Sequence, residues 1–103
     1  KLSDIRIVPN PYNIKDPLLL GYVLDENNRR ISFYNLPSEV TIKIFTESGN
    51  LVKTINHNPL NRVGSIDWDM LTDNQQAIAS GLYIAHFETP SGDTAYQKFL
   101  VVR

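Results

Sequence analysis

Asp67, Asp69 and Asp73 are the closest this chain comes to a chemical constellation. In an extended strand Asp67 and Asp69 share one face, opposite Trp68, because alternate residues point the same way. If the following loop folds back, Asp73 joins them, and grouped carboxylates are the hard oxygen ligands that calcium takes. The spacing of a calcium loop is not met, since position 71 is Leu and residues 70–78 contain no glycine. The favoured expectation is that Asp69 and Asp73 accept backbone N–H bonds and hold a turn. No metal and no cofactor is expected. His57 and His86, the only histidines, show no metal-ligand spacing. His57 is expected in a polar loop, 56–62, and His86 on the strand face turned away from Tyr83 and Phe87.

Nucleophilic and phosphate chemistry is equally absent. Ser48, Ser65, Ser80 and Ser91 lack a G-x-S-x-G setting, and neither a P-loop nor a dinucleotide-binding glycine pattern is present. The chain has no cysteine, which removes disulfides, cysteine-ligated zinc, iron–sulfur clusters and thiol nucleophiles. The chain is therefore read as no enzyme. Its single Trp falls on a core-facing position, and Tyr12, Tyr22 and Tyr34 form no flat sugar-stacking row.

At 103 residues the expectation is one domain, 1–103. The 42% hydrophobic content suffices for one modest core, and the net charge of −1 offers no basic field for nucleic acid. No apolar run is long enough for membrane insertion as a helix. The chain begins at Lys1 rather than Met and reads as a piece of a longer precursor, with any export signal upstream.

The elements that would position these residues are strands. Ile5 and Ile7 alternate with Arg6 and Val8, and Pro9-Asn10-Pro11-Tyr12-Asn13 stops that strand in a stiff corner. Residues 31–36 and 40–45 alternate, the latter with Val40, Ile42 and Ile44 inward. Glu47-Ser48-Gly49-Asn50 reads as a hairpin turn with Gly and Asn at positive φ, returning through 51–55. Ile66 and Trp68 share a face in the next strand. Tyr83, Ala85 and Phe87 share one after the Ser80-Gly81 corner, and 96–102 closes the chain after a turn at 90–93. Trp68, Tyr83 and Phe87 are the expected core anchors. Residues 14–30 are an atypical insertion or flap, whose apolar part, 18–24, is either a packed loop or a contact surface. About seven short strands without helical periodicity predict an all-β, antiparallel sandwich of immunoglobulin or fibronectin III type.

Several blocks resemble a known family. Val8-Pro9-Asn10-Pro11-Tyr12-Asn13 looks like the V-x-P-N-P-Y/F-N opening of C-terminal domains on exported Bacteroidetes-type proteins. Similar to the same family are Ile31-Ser32-Phe33-Tyr34-Asn35-Leu36-Pro37, Val40-Thr41-Ile42-Lys43-Ile44-Phe45 and Ser48-Gly49-Asn50-Leu51-Val52-Lys53-Thr54-Ile55. So are Trp68-Asp69 followed by Ala79-Ser80-Gly81-Leu82-Tyr83, and the tail Lys98-Phe99-Leu100-Val101-Val102-Arg103. The chain departs from the pattern at Met70 and at Gln75-Gln76, where glycine is common, and in its long 14–30 segment. The family is the type IX secretion C-terminal sorting domain, itself similar to the immunoglobulin-like domain of the flagellar hook-capping protein.

The resemblance implies a non-catalytic sorting or cell-surface attachment module of a larger exported protein, reaching the surface through the periplasm. Its implied partners are upstream domains of the parent and outer-membrane secretion machinery. Pro9, Asn10, Pro11, Gly81 and the closing six residues become the candidate sorting motif. Asp93-Thr94-Ala95 also resembles a short O-glycosylation acceptor. Recognition is expected through an exposed final strand, whose unpaired backbone invites strand addition. The alternatives are a structural spacer or assembly domain, and a carbohydrate-binding module of a secreted enzyme.

Overall fold

The structure, a computed structural model, describes residues 2–13, 30–58 and 64–103. The apolar segment 18–24, the rest of 14–29 and residues 59–62 of the polar loop lie outside the described residues. A 3-10 turn, Leu2–Asp4, precedes eight strands: β1 (Arg6–Val8), β2 (Tyr12–Asn13), β3 (Ile31–Tyr34), β4 (Val40–Thr46), β5 (Leu51–His57), β6 (Ile66–Trp68), β7 (Gly81–Glu88) and β8 (Thr94–Val102). They form a three-stranded sheet, β1–β3–β6, and a five-stranded sheet, β2–β8–β7–β4–β5. Every pairing is antiparallel except β2 with β8. This is the A–B–E against G–F–C–C′ arrangement of an immunoglobulin-like sandwich, with the first strand divided between the two sheets.

Period-two patterning produces the core. Val40, Ile42 and Ile44 of β4 are buried with Tyr83, Ala85 and Phe87 of β7 and Phe99 and Val101 of β8. The facing sheet contributes Ile7, Ile31, Phe33 and Trp68. Phe33 meets Phe87 edge-on across the layers, with ring centroids 6.1 Å apart, and Trp68 meets Phe99 the same way at 6.3 Å. Burying a large apolar side chain of this kind contributes about 1.5–3 kcal/mol, so these contacts decide which faces turn inward.

Four local expectations change. The corner at residues 9–13 is more than a stop. After β1 leaves the three-stranded sheet, the chain crosses over and Tyr12 and Asn13 pair with Val101 and Val102. The Val8–Pro9 and Asn10–Pro11 bonds on this path are both cis. β3 ends at Tyr34 because Asn35 takes a left-handed conformation, φ 61°. In the β4–β5 turn Gly49 alone has positive φ, at 95°, and Asn50 instead donates its N–H to Thr46 Oγ1. Finally, β5 runs on to His57, which sits opposite Val40 and is 2% exposed, not in a loop. Its Nδ1 has no hydrogen-bond partner among the described residues.

Candidate functional site

The two ends of the described chain meet along β8. The Asn10 side chain spans two residues of that strand: Nδ2 donates to the Lys98 carbonyl at 3.3 Å, and Oδ1 accepts the Leu100 N–H at 3.2 Å. An Asn side chain can do this because its amide carries one donor and one acceptor, like a peptide unit. It therefore continues the ladder that β2 begins at Val101 and Val102. The Gln97 side chain donates to the Ile5 carbonyl from the same strand. An unpaired closing strand is thus not what the fold presents, because its C-terminal half is covered by β2 and Asn10.

The closing residues split by alternation. Phe99 and Val101 are 1% and 0% exposed and belong to the core, while Lys98 and Leu100 face solvent and Val102 is half-buried. Arg103 is tied down at both ends. Its backbone N–H donates to Ser80 Oγ at 2.9 Å, and its Nη1 donates to the Ile78 carbonyl at 3.0 Å. Tyr83 donates to the Ala79 carbonyl at 2.7 Å and stacks on Phe99 at 5.7 Å. Burial pushes the Tyr83 phenol above its ordinary value, against the opposing hydrogen bond to Ala79 and the charge of Arg103. Gly81 pairs with Val101, and an added Cβ there would lie 4.0 Å from the Tyr83 ring, so space does not demand glycine. Pro9 and Pro11 flank Asn10 in the chain, Pro9 half-buried and Pro11 exposed.

The aspartates do not converge. Asp67 accepts Ser32 Oγ at 2.6 Å and pairs with Arg30 at 3.2 Å across β3 and β6. Asp69 Oδ1 accepts the Leu71 N–H at 3.0 Å, as a turn-holding Asp does. Asp73 departs from expectation and pairs with Lys53 at 3.5 Å. Thr72 holds that turn instead, its Oγ1 accepting the N–H groups of Asn74 and Gln76 at 3.2 Å each. Among the described residues no group of His, Cys, Asp or Glu is placed to hold a metal. His86 lies on the outer face of β7, turned away from the core, and Thr94 is exposed at the start of β8. Trp68 is 2% exposed and donates Nε1–H to the Leu71 carbonyl at 3.0 Å, and Tyr12 is 1% exposed.

Sequence reading missed the Asn10 clamp and the Arg103 tie, which join residues some ninety and twenty-five positions apart and leave no local pattern. It also missed a signal that was present. Thr46-Glu47-Ser48-Gly49-Asn50 and Thr89-Pro90-Ser91-Gly92-Asp93 build the same turn. In each, the glycine N–H donates to the threonine carbonyl at 2.9 Å, and the Thr and Ser hydroxyls lie 2.9–3.0 Å apart.

No protein-family model and no curated protein matches the chain. Among solved structures it is similar to PorZ, an essential bacterial surface component of the type-IX secretion system of human oral-microbiomic Porphyromonas gingivalis. The TM-score is 0.73 at 19% identity, over 99% of this chain and 12% of that one. The likeness is one of fold, and this chain spans about an eighth of the length of the protein it matches.

Proposed function

We propose that this chain is a non-catalytic C-terminal sorting or surface-attachment module of a larger exported protein, recognised from outside rather than acting on a substrate. The observation that carries the reading is the Asn10 clamp on Lys98 and Leu100. It makes one structural unit of the two sequence blocks, opening and closing, on which the resemblance to sorting domains rests. The shared fold with part of a type IX secretion surface component supports the same reading. Its partners are upstream domains of the parent and the outer-membrane secretion machinery, and its location is the cell surface or beyond, reached through the periplasm.

The test is export. Residues 1–103 are fused behind a signal peptide and fluorescent reporter in a host with a working type IX system. The intact fusion is compared with a Lys98→Glu, Leu100→Ser variant, which alters two exposed residues and leaves Phe99 and Val101 in the core. Surface arrival of the intact fusion and periplasmic retention of the variant are expected. If both reach the surface, or neither does, the module is a structural spacer. Binding of the purified chain to insoluble polysaccharide would favour the carbohydrate-binding alternative.

A further inference from the structure

We infer that the outer face of the five-stranded sheet docks a protein partner presenting acidic residues around an apolar patch. Five large hydrophobic side chains are exposed among the described residues, and three of them, Leu51 at 52%, Tyr96 at 67% and Leu100 at 40%, lie on this one face. The strand registers show how they connect. Leu51, Phe45, Ile84 and Lys98 stand opposite one another in a row across β5, β4, β7 and β8. The adjacent row runs Thr54, Lys43, His86, Tyr96, and Leu82 faces Leu100 on the other side. Paired residues in a ladder share a face. The bulge that leaves Val52 unpaired puts Leu51, not Val52, opposite Phe45 and so extends the apolar row onto the edge strand.

The charges select the occupant. Lys98 ends the apolar row on β8 and Lys43 stands in the adjacent row on β4, both exposed, and half-buried His86 lies on β7 between those two strands. The carboxylate of Glu88 belongs to the rim row with Thr41 and Thr94. Lys43 and Lys98 put two positive charges in the two central rows, which hold no carboxylate, in a chain of net charge −1. A second copy of the chain would bring like charge to like charge, which disfavours self-association. The turns at the two ends carry the carboxylates of Glu47 and Asp93, so a partner must set its acidic groups against Lys43 and Lys98 in particular, which a protein surface can do and a uniformly anionic bilayer cannot. The central apolar row needs a dry apolar counterpart, which a purely charged polymer lacks. Four strands span about 14 Å, a width that suits transient contact over an obligate interface. The inference extends the reading of the module as one recognised from outside, and its test does not pass through secretion.

The probe is a random glutamate–tyrosine copolymer titrated into the isotope-labelled 103-residue chain, followed by amide shifts. Polyglutamate, a lysine–tyrosine copolymer and phosphatidylglycerol vesicles serve as comparisons. The expected result is shifts centred on Leu82, Ile84, His86, Lys98 and Leu100, with β1, β3 and β6 unmoved. Lys43→Glu with Lys98→Glu, and separately Leu51→Ser with Tyr96→Ser, should each weaken binding about tenfold, while both variants keep the melting transition of the parent. The inference is overturned by absent or scattered shifts, by equal binding of polyglutamate, or by tighter binding to the vesicles. Lys43 and Leu51 lie outside the closing motif, so failure here with export intact removes the docking face and leaves the sorting reading standing.

Discussion

Met70 and Gln75 show how one backbone requirement is met in two ways. Both hold φ at 62°, where a side chain costs about 1 kcal/mol relative to glycine, and both stand where the resembled pattern tends to have glycine. Gln75 is exposed, so nothing offsets its strain, whereas Met70 is 2% exposed in the core. Gln75→Gly should therefore leave stability unchanged or raise it by up to about 1 kcal/mol. Met70→Gly should lower it by about 2–4 kcal/mol, because the lost burial exceeds the relieved strain. Urea melts followed by Trp68 fluorescence separate the two, and equal effects of both changes would refute the assignment.

Tyr83 supplies a pH dependence at the same scale. Its folded phenol is raised by burial, so below the ordinary tyrosine range of about pH 10 its contribution is complete. As pH climbs through that range the unfolded chain releases its phenolic proton first, and stability falls until the folded group also ionises. Tyr83→Phe should be less stable by about 1 kcal/mol at neutral pH, for want of the bond to Ala79. It should also lose less stability between about pH 8 and pH 11. Parallel pH profiles for the two proteins would show that the phenol is not the group involved.

At the scale of elements, the paired turns make the clearest comparison. Gly49 and Gly92 both sit at φ 95° with open space where a Cβ would go. Conformation alone, not packing, is the reason for glycine there. Gly49→Ala and Gly92→Ala should each cost about 1 kcal/mol, and the double variant should be additive, since independent sites add. A thermal-melt series checks this, and a loss several times larger at one turn would mean that it does more than reverse the chain. The turns and the strands they join were legible because their signals are local: alternation at Val40, Ile42 and Ile44, and Ser-Gly before a polar residue. β2 was illegible because two residues carry no periodicity and its parallel partner lies at the far end of the chain. His57 was misplaced because Asn56 and Asn58 flank it and the whole stretch reads as polar, although alternation from Val40 across the ladder makes it an inward position.

The whole molecule closes through its last six residues, and that constrains how any signal in them can be studied. Deleting 98–103 removes Phe99 and Val101 from the core, strips Asn10 and β2 of their partners, and cuts the Arg103 tie to Ser80 and Ile78. Loss of a buried Phe alone costs about 3–5 kcal/mol, against a total stability of about 5–15 kcal/mol for a domain of this size. The truncated chain should therefore show no cooperative urea transition and a Trp68 emission shifted toward that of solvent. A cooperative melt in the truncated chain would mean that the C-terminal half of β8 is dispensable to the sandwich. If unfolding is the outcome, an export defect on truncation cannot be assigned to recognition, because loss of structure predicts the same defect. The alternation of β8 offers the way round: Phe99 and Val101 serve the fold, while Lys98 and Leu100 serve the surface. Changing only the outward pair tests recognition in a chain that still folds.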